Sequence, residues 1–210
     1  MVNVCKQETD CILLVEGLDD CHVVMALCHA HHLPPSFGIY ECGSDDLLLK
    51  RLNALILQSN TPKVIGVVVD ADIDPARRWD QIKRKLKNHP YSFPTSPESS
   101  GTIISGSSGV PKLGIWLMPD NTTTGNLENF LMYLADPNSI EVAESCVRIA
   151  QEKGAAKFSP KHRSKAVIHT YLAWQEPPGR PLGQSITTCA LKHDTPIAVK
   201  FSAWLATLFA

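Results

Sequence analysis

Long apolar segments are missing from this 210-residue chain. Its longest apolar runs, such as residues 64–69, are far shorter than the ~20 residues that a membrane-spanning helix needs. The first ten residues also lack the basic start and apolar stretch of a secretory signal. We therefore expect no membrane partner and a cytoplasmic location.

A regular cysteine framework is missing as well. Seven cysteines are an odd number, five of them fall within the first 42 residues, and their spacing is irregular. Small disulfide-stabilised domains usually carry an even number at regular spacing. The pattern therefore predicts reduced thiols, as in a cytosolic protein. Neither CxxC nor HExxH occurs, so a zinc site among the cysteines and histidines of residues 21–32 is the weaker alternative.

Two further motifs of well-known enzyme classes are absent. There is no GxSxG turn for a serine hydrolase. The glycine-rich segment at residues 106–114 lacks the GK[ST] ending of a phosphate-binding P-loop, so we expect a mobile loop there instead.

The composition is that of a folded domain, with 44% hydrophobic and 20% charged residues. Charge is distributed unevenly along the chain. Residues 1–74 carry a net charge of −7 and residues 75–210 a net charge of +6, which together give −1. This division is typical of a metal site beside a phosphate site, although it is also common by chance.

Apolar segments alternate with helical patterns over residues 1–135. Continuous apolar strands separated by helices predict a mostly parallel sheet with helices on both faces, a Rossmann-like α/β fold. Residues 136–210 are predicted to form a helical extension of the same single domain. The predicted strands are residues 11–16, 38–42, 63–69, 102–105 and 113–118, and the predicted helices are residues 19–32, 45–57, 75–87, 125–134, 140–153, 161–174 and 197–208.

Acidic residues follow the predicted strands. Open α/β sheets bind ligands beyond the carboxyl ends of their strands, so acids at these ends can meet at one site. Clustered carboxylates repel one another unless cations neutralise them, and hard oxygen ligands suit Mg²⁺ or Mn²⁺. The alternative for each acid is a helix cap, a turn or a solvated residue. The acids in question are Glu16, Asp19, Asp20, Asp70, Asp72, Asp74, Asp120 and Glu128.

Two of these segments resemble the Toprim domain. The first is LLVEGLDD at residues 13–20, and the second is VVVDADID at residues 67–74. Toprim domains occur in topoisomerases, bacterial primases, ribosomal RNA maturases and the overcoming-lysogenization-defect nucleases. The spacing from Glu16 to Asp20 is similar to the EGxxD form of those nucleases. Residues 114–131 and 169–186 resemble small standalone bacterial Toprim-like proteins of unassigned function.

The resemblance implies an Mg²⁺- or Mn²⁺-dependent phosphoryl-transfer site, with two ions. Glu16 would act as general acid or base and as a metal ligand. Lys165 would match the catalytic lysine of the nucleases, with Lys161 as the second candidate. The remaining metal ligands would be Asp20, Asp70, Asp72, Asp74 and Glu128. No topoisomerase tyrosine gate or primase zinc module is recognisable, so those activities are not expected.

Basic residues are expected to contact the nucleic acid. The alternative is an ordinary solvated face on the helix at residues 75–87, opposite its apolar side. An Asp-x-Asp motif can also belong to haloacid-dehalogenase-like phosphatases, but there the first Asp lies on the first strand and here it follows the third. The residues expected to bind nucleic acid are Arg77, Arg78, Arg84, Lys161 and Arg163.

The sequence thus predicts a metal-dependent nuclease that acts on DNA or RNA, with a role in antiphage defence suggested by the nuclease resemblance. A second hypothesis is a non-catalytic Toprim-like subunit that docks on an ATPase partner. The chain has no recognisable NTPase motif of its own.

Overall fold

The structure is a computed structural model, and it describes residues 3–34, 36–106 and 109–210. Residues 107 and 108 of the glycine-rich segment, which was expected to be a mobile loop, lie outside the described residues. In the described part, no helix is long and apolar enough to cross a membrane.

A five-stranded sheet forms the centre of the protein. In the order β2-β1-β3-β5-β4, the first four strands are parallel and β4 pairs antiparallel with β5 at one edge. The middle strands are apolar on both faces because helices cover both faces. This confirms the predicted α/β class. The strands are β1 Cys11–Val15, β2 Gly38–Glu41, β3 Val64–Asp70, β4 Thr102–Ile104 and β5 Lys112–Met118.

Eight α-helices surround the sheet in the part of the chain that is described. The buried side chains of α2 and α3 form one apolar cluster with one face, and those of α1 and α4 to α8 form a second cluster with the other. The C-terminal helices therefore share a core with the sheet. The helices are α1 Leu18–Ala30, α2 Asp45–Leu57, α3 Pro75–Lys85, α4 Leu127–Met132, α5 Pro137–Glu152, α6 Arg163–Leu172, α7 Leu182–Thr187 and α8 Pro196–Leu208.

Helix α8 packs directly against two paired glycines of the sheet. Gly66 of β3 and Gly114 of β5 are neighbours in the ladder. A Cβ atom on Gly114 would stand only 2.3 Å from Cδ2 of Leu208. The missing side chains thus leave room for Leu208 against the strands.

One short helix was not predicted. No helix was predicted between residues 174 and 197, but α7 forms at Leu182–Thr187. Six residues are too few to show a helical period, and the contacts of α7 with α1 stabilise it instead. Gly183 permits this packing, since a Cβ atom there would lie 2.6 Å from the carbonyl oxygen of His22.

The expectation of reduced thiols is wrong for two cysteines. Cys5 and Cys21 form a disulfide, with their Cα atoms 6.0 Å apart. The N-terminal segment pairs with β2, since the amide of Glu41 donates to the carbonyl oxygen of Cys5, and this brings Cys5 over α1. A pairing made by long-range packing leaves no regular spacing in the sequence.

Reducing this disulfide should destabilise the protein. The two cysteines are 16 positions apart in the sequence. A disulfide that closes a loop of this length raises the free energy of unfolding by about 3 kcal/mol, because it lowers the entropy of the unfolded chain. We expect dithiothreitol to lower the denaturation midpoint of the wild type in urea and to leave a Cys5→Ala/Cys21→Ala variant unchanged. An exposed-cysteine control, Cys146→Ser, should respond like the wild type. Equal midpoints with and without reductant in the wild type would contradict the bond.

Candidate functional site

An open cleft of about 570 Å³ lies at the carboxyl ends of β1 and β3, beside the start of α4. Parallel strands deliver the residues that follow them to this one edge of the sheet. The cleft therefore collects side chains that are distant in sequence. Five of the predicted site residues line it: Glu16, Asp20, Asp70, Glu128 and Lys165.

Backbone amides hold three of these carboxylates in place. The amide of Asp70 donates to Oε1 of Glu16 over 2.9 Å, although the residues are 54 positions apart. The amide of Leu127 donates to Oδ1 of Asp70 over 3.0 Å, which ties α4 to β3. The amide of Gly17 donates to Oδ2 of Asp20 over 3.0 Å at the start of α1. Each bond uses one carboxylate oxygen.

Burial and mutual repulsion make the cluster costly to ionise. Burial raises the pKa of Asp70 well above its ordinary value, and the charges of Glu16, Asp20 and Glu128 raise it further. Burial, followed by the charge of Glu16, raises the pKa of Asp20 to about 7. Burial also raises the pKa of Glu16, while the bond from the Asp70 amide offsets part of this effect. The cluster therefore favours bound protons or a bound cation.

Lys165 supplies a positive charge at the rim of the cleft. Its Nζ atom lies 3.6 Å from Oδ2 of Asp19 and 3.9 Å from Oε1 of Glu128. Helix α6 carries it there, because Val167 and Ile168 on the same helix are fully buried. Lys161 does not line the cleft.

Asp72 and Asp74 do not line the same cleft. They were expected to be metal ligands together with Asp70, but the extended strand ends at Asp70. Asp72 has a left-handed φ of 55° and exchanges backbone hydrogen bonds of 2.8 and 2.7 Å with Gly125. Asp74 caps α3, since its Oδ1 accepts from the amide of Arg77. The two acids border a separate cavity.

Arg78 was expected to contact nucleic acid, but its side chain is buried. Its side chain is only 7% exposed, and it forms ion pairs with Asp45 and Asp72. By contrast, Arg77 and Arg84 are exposed on α3. Arg163 is partly exposed, and its guanidinium lies 3.9 Å from Glu144.

Some residues near the site were not singled out from the sequence. Asp45 was assigned only to the start of a helix, yet Nη1 of Arg78 donates to its Oδ2 over 2.7 Å. Burial would raise the pKa of Asp45, but this bond lowers it. Glu41, the last residue of β2, and Ser44, which follows that strand, also line the cleft. Asp120 instead closes a turn by accepting from the amides of Thr122 and Thr123.

The donor chemistry of the cleft fits a hard divalent cation, although no ready-made cage exists. Among residues 3–34, 36–106 and 109–210, no group of three or more His, Cys, Asp or Glu side chains could hold a metal ion as it stands. Mg²⁺ does not require such a cage, because it is usually bound by one or two carboxylates together with waters and substrate phosphates. Glu16, Asp20, Asp70 and Glu128 can supply those carboxylates.

Comparison with known proteins identifies one family. Residues 10–210 match the family described as "Protein of unknown function (DUF3226)". The chain belongs to this family. The match spans the sheet, the cleft and all eight described helices. Neither the curated proteins nor the solved structures gave a match.

The raised pKa of Asp20 predicts a pH-dependent cost in metal-free protein. Its folded value of about 7 exceeds the ordinary 3.8, so Asp20 destabilises the fold progressively as pH rises from about 4 through 7. We expect Asp20→Asn to be more stable than the wild type at pH 8 in EDTA by a few kcal/mol, at roughly 1.4 kcal/mol per pKa unit. At pH 4 the two proteins should have nearly equal free energies of unfolding, because Asp20 is then protonated in the folded wild type.

Urea denaturation at both pH values measures this effect. The neighbouring half-exposed Asp19 provides the control, and Asp19→Asn should change stability little at either pH. A destabilised Asp20→Asn at pH 8 would instead show that the ionised carboxylate is needed to cap α1.

Proposed function

We propose that this protein is a Toprim-like, metal-dependent nuclease that hydrolyses phosphodiester bonds in DNA or RNA. The observation that supports this most is the convergence of Glu16, Asp20, Asp70, Glu128 and Lys165 on one cleft. These residues come from β1, β3, α1, α4 and α6, or from the positions directly after them. Structural carboxylates have no evident reason to collect there at such an electrostatic cost.

Asp20, Asp70 and Glu128, together with the free oxygen of Glu16, would hold divalent metal, Mg²⁺ or Mn²⁺. The chemistry supplied there would be activation of a water molecule and stabilisation of the leaving oxygen of the phosphodiester. Because the hydrogen bonds to backbone amides use only one oxygen each on Glu16, Asp20 and Asp70, the other oxygen of each remains for a ligand.

Glu16 is the residue best placed to move a proton. Burial raises its pKa above the ordinary value, and an upward shift is the direction that suits a carboxyl group acting as general acid or base. The Asp70 amide fixes its Oε1, so the orientation of the carboxyl group is set before a substrate arrives. Lys165 lies across the cleft and can neutralise charge on the non-bridging phosphate oxygens.

Exposed basic side chains would contact the rest of the polynucleotide. Arg77 and Arg84 on α3, Lys161 before α6 and Arg163 at its first turn are candidates for phosphate contacts. The proposal includes a role in antiphage defence, which is based on the resemblance to the overcoming-lysogenization-defect nucleases.

A second candidate is a non-catalytic Toprim-like subunit that docks on an ATPase. The observation in its favour is that Asp72, the second acid of the Asp-x-Asp motif, pairs with Arg78 and does not line the cleft. A subunit of this kind would bind its ATPase partner without cutting nucleic acid in the presence of Mg²⁺ or Mn²⁺.

A divalent-dependent cleavage assay tests the enzyme proposal. We expect cutting of plasmid DNA, single-stranded DNA or tRNA in Mn²⁺ or Mg²⁺ and none in EDTA. Glu16→Gln should reduce the rate by at least ~10²-fold, as expected for loss of a general acid or base. Asp70→Asn should abolish metal binding without loss of stability in EDTA. If no substrate is cut, alone or with an ATPase partner, the nuclease proposal fails.

Lys165 and Lys161 form a matched pair for a second test. Lys165 is at the cleft, whereas Lys161 precedes α6 and does not line it. Lys165→Ala should lower the cleavage rate by ~10²-fold or more while metal and nucleic-acid affinities stay nearly constant. Lys161→Ala should keep the wild-type rate constant and weaken only nucleic-acid binding. If Lys161→Ala lowered the rate and Lys165→Ala weakened only nucleic-acid binding, Lys161 would be the catalytic lysine.

A further inference from the structure

A buried arginine borders the separate cavity that Asp72 and Asp74 also line. Arg78 is on the inward side of α3, next to the fully buried Trp79. A guanidinium keeps its charge in proteins, so its burial must be compensated by acids. Asp45 and Asp72 provide this compensation from two different elements, the start of α2 and the loop after β3.

Local structure fixes the backbones of the two acids that bind Arg78. Asp45 is the first residue of α2, directly after the cap residue Ser44. The backbone of Asp72 is held by its paired hydrogen bonds with Gly125. Their carboxylates meet at one guanidinium, Asp45 at Nη1 and Asp72 at Nη2. Arg78 supplies the positive charge that this geometry requires.

The arginine and its acids belong electrostatically to the cleft. The charges of Asp45 and Asp72 act on Glu16, and that of Arg78 opposes them. The charge of Asp72 also acts on Asp70. In sequence, Asp45 adjoins the cleft residue Ser44, and only Ala71 separates Asp72 from Asp70. The acids therefore form two adjoining groups. Asp45 and Asp72 are paired with Arg78, whereas the acids of the cleft form the second group.

We propose that Arg78 takes the place of a second divalent cation, so that the protein binds a single metal ion, in the cleft of Glu16, Asp20, Asp70 and Glu128. This inference rests on the proposed metal-dependent function and specifies its cofactor. It departs from the two ions implied by the Toprim resemblance. Arg78 would be a positioning residue, because it acts through Asp45 and Asp72 and does not touch the substrate.

The number of bound Mn²⁺ ions tests the proposal without relying on activity. Titration followed by electron paramagnetic resonance of free Mn²⁺ should give one ion per wild-type chain. Arg78→Gln removes the charge and leaves Asp45 and Asp72 unpaired, so it should bind two. Arg78→Lys should restore a count of one. In EDTA the Arg78→Gln variant should melt below the wild type, and Mn²⁺ should raise its melting temperature more than that of the wild type.

Arg148→Gln is the matched control, because Arg148 is also ion-paired, with Glu152, but lies on the exposed face of α5. It should bind one ion and melt like the wild type. Two bound ions on the wild type would overturn the inference and leave the proposal of a metal-dependent function intact. This result comes from the wild type alone, so it does not depend on whether the Arg78 variants fold. One ion on Arg78→Gln would also overturn it. No bound Mn²⁺ on the wild type, together with no cleavage, would overturn the nuclease proposal itself.

Discussion

Repulsion among buried carboxylates is the constraint around which the carboxyl edge of this sheet is arranged. Asp70 is the centre of the cluster, since the charges of Glu16, Asp20, Glu128 and Asp72 all act on it. Burial strengthens every one of these interactions because little water screens them. Such an arrangement persists only if the surrounding structure compensates for it, and the compensation accounts for much of the local geometry.

Backbone amides and cationic side chains provide this compensation. Backbone amides donate to Glu16, Asp20 and Asp70, and these bonds also tie β1, α1, β3 and α4 together. Two cations flank the cluster, one buried and one at the rim. The buried one, Arg78, is permanently charged and paired with two acids, whereas Lys165 is half exposed and lies near Asp19 and Glu128. Among the described residues, Glu16, Asp20 and Asp70 form no salt bridge, and this is the physical basis for proposing a cation in their cleft.

The rest of the fold gives this edge its rigidity. Two apolar clusters cover opposite faces of the sheet, so that the strands cannot shift to relieve the repulsion. The C-terminal helices belong to this framework. Helix α8 packs against the paired glycines of β3 and β5. Helix α6 places Lys165 at the cleft because its opposite side is buried.

The sequence by itself determined the sheet class, the main helices and the carboxylates that end β1 and β3, because apolar periodicity and strand-end acids are local patterns. It also singled out Lys165, through a family resemblance. Tertiary structure alone decided which acids share a cleft: a left-handed residue at Asp72 turns the chain away, and the Asp45–Arg78 pair joins residues 33 positions apart. The Cys5–Cys21 disulfide and α7 likewise depend on contacts between distant segments, and such contacts leave no periodic signal in the chain.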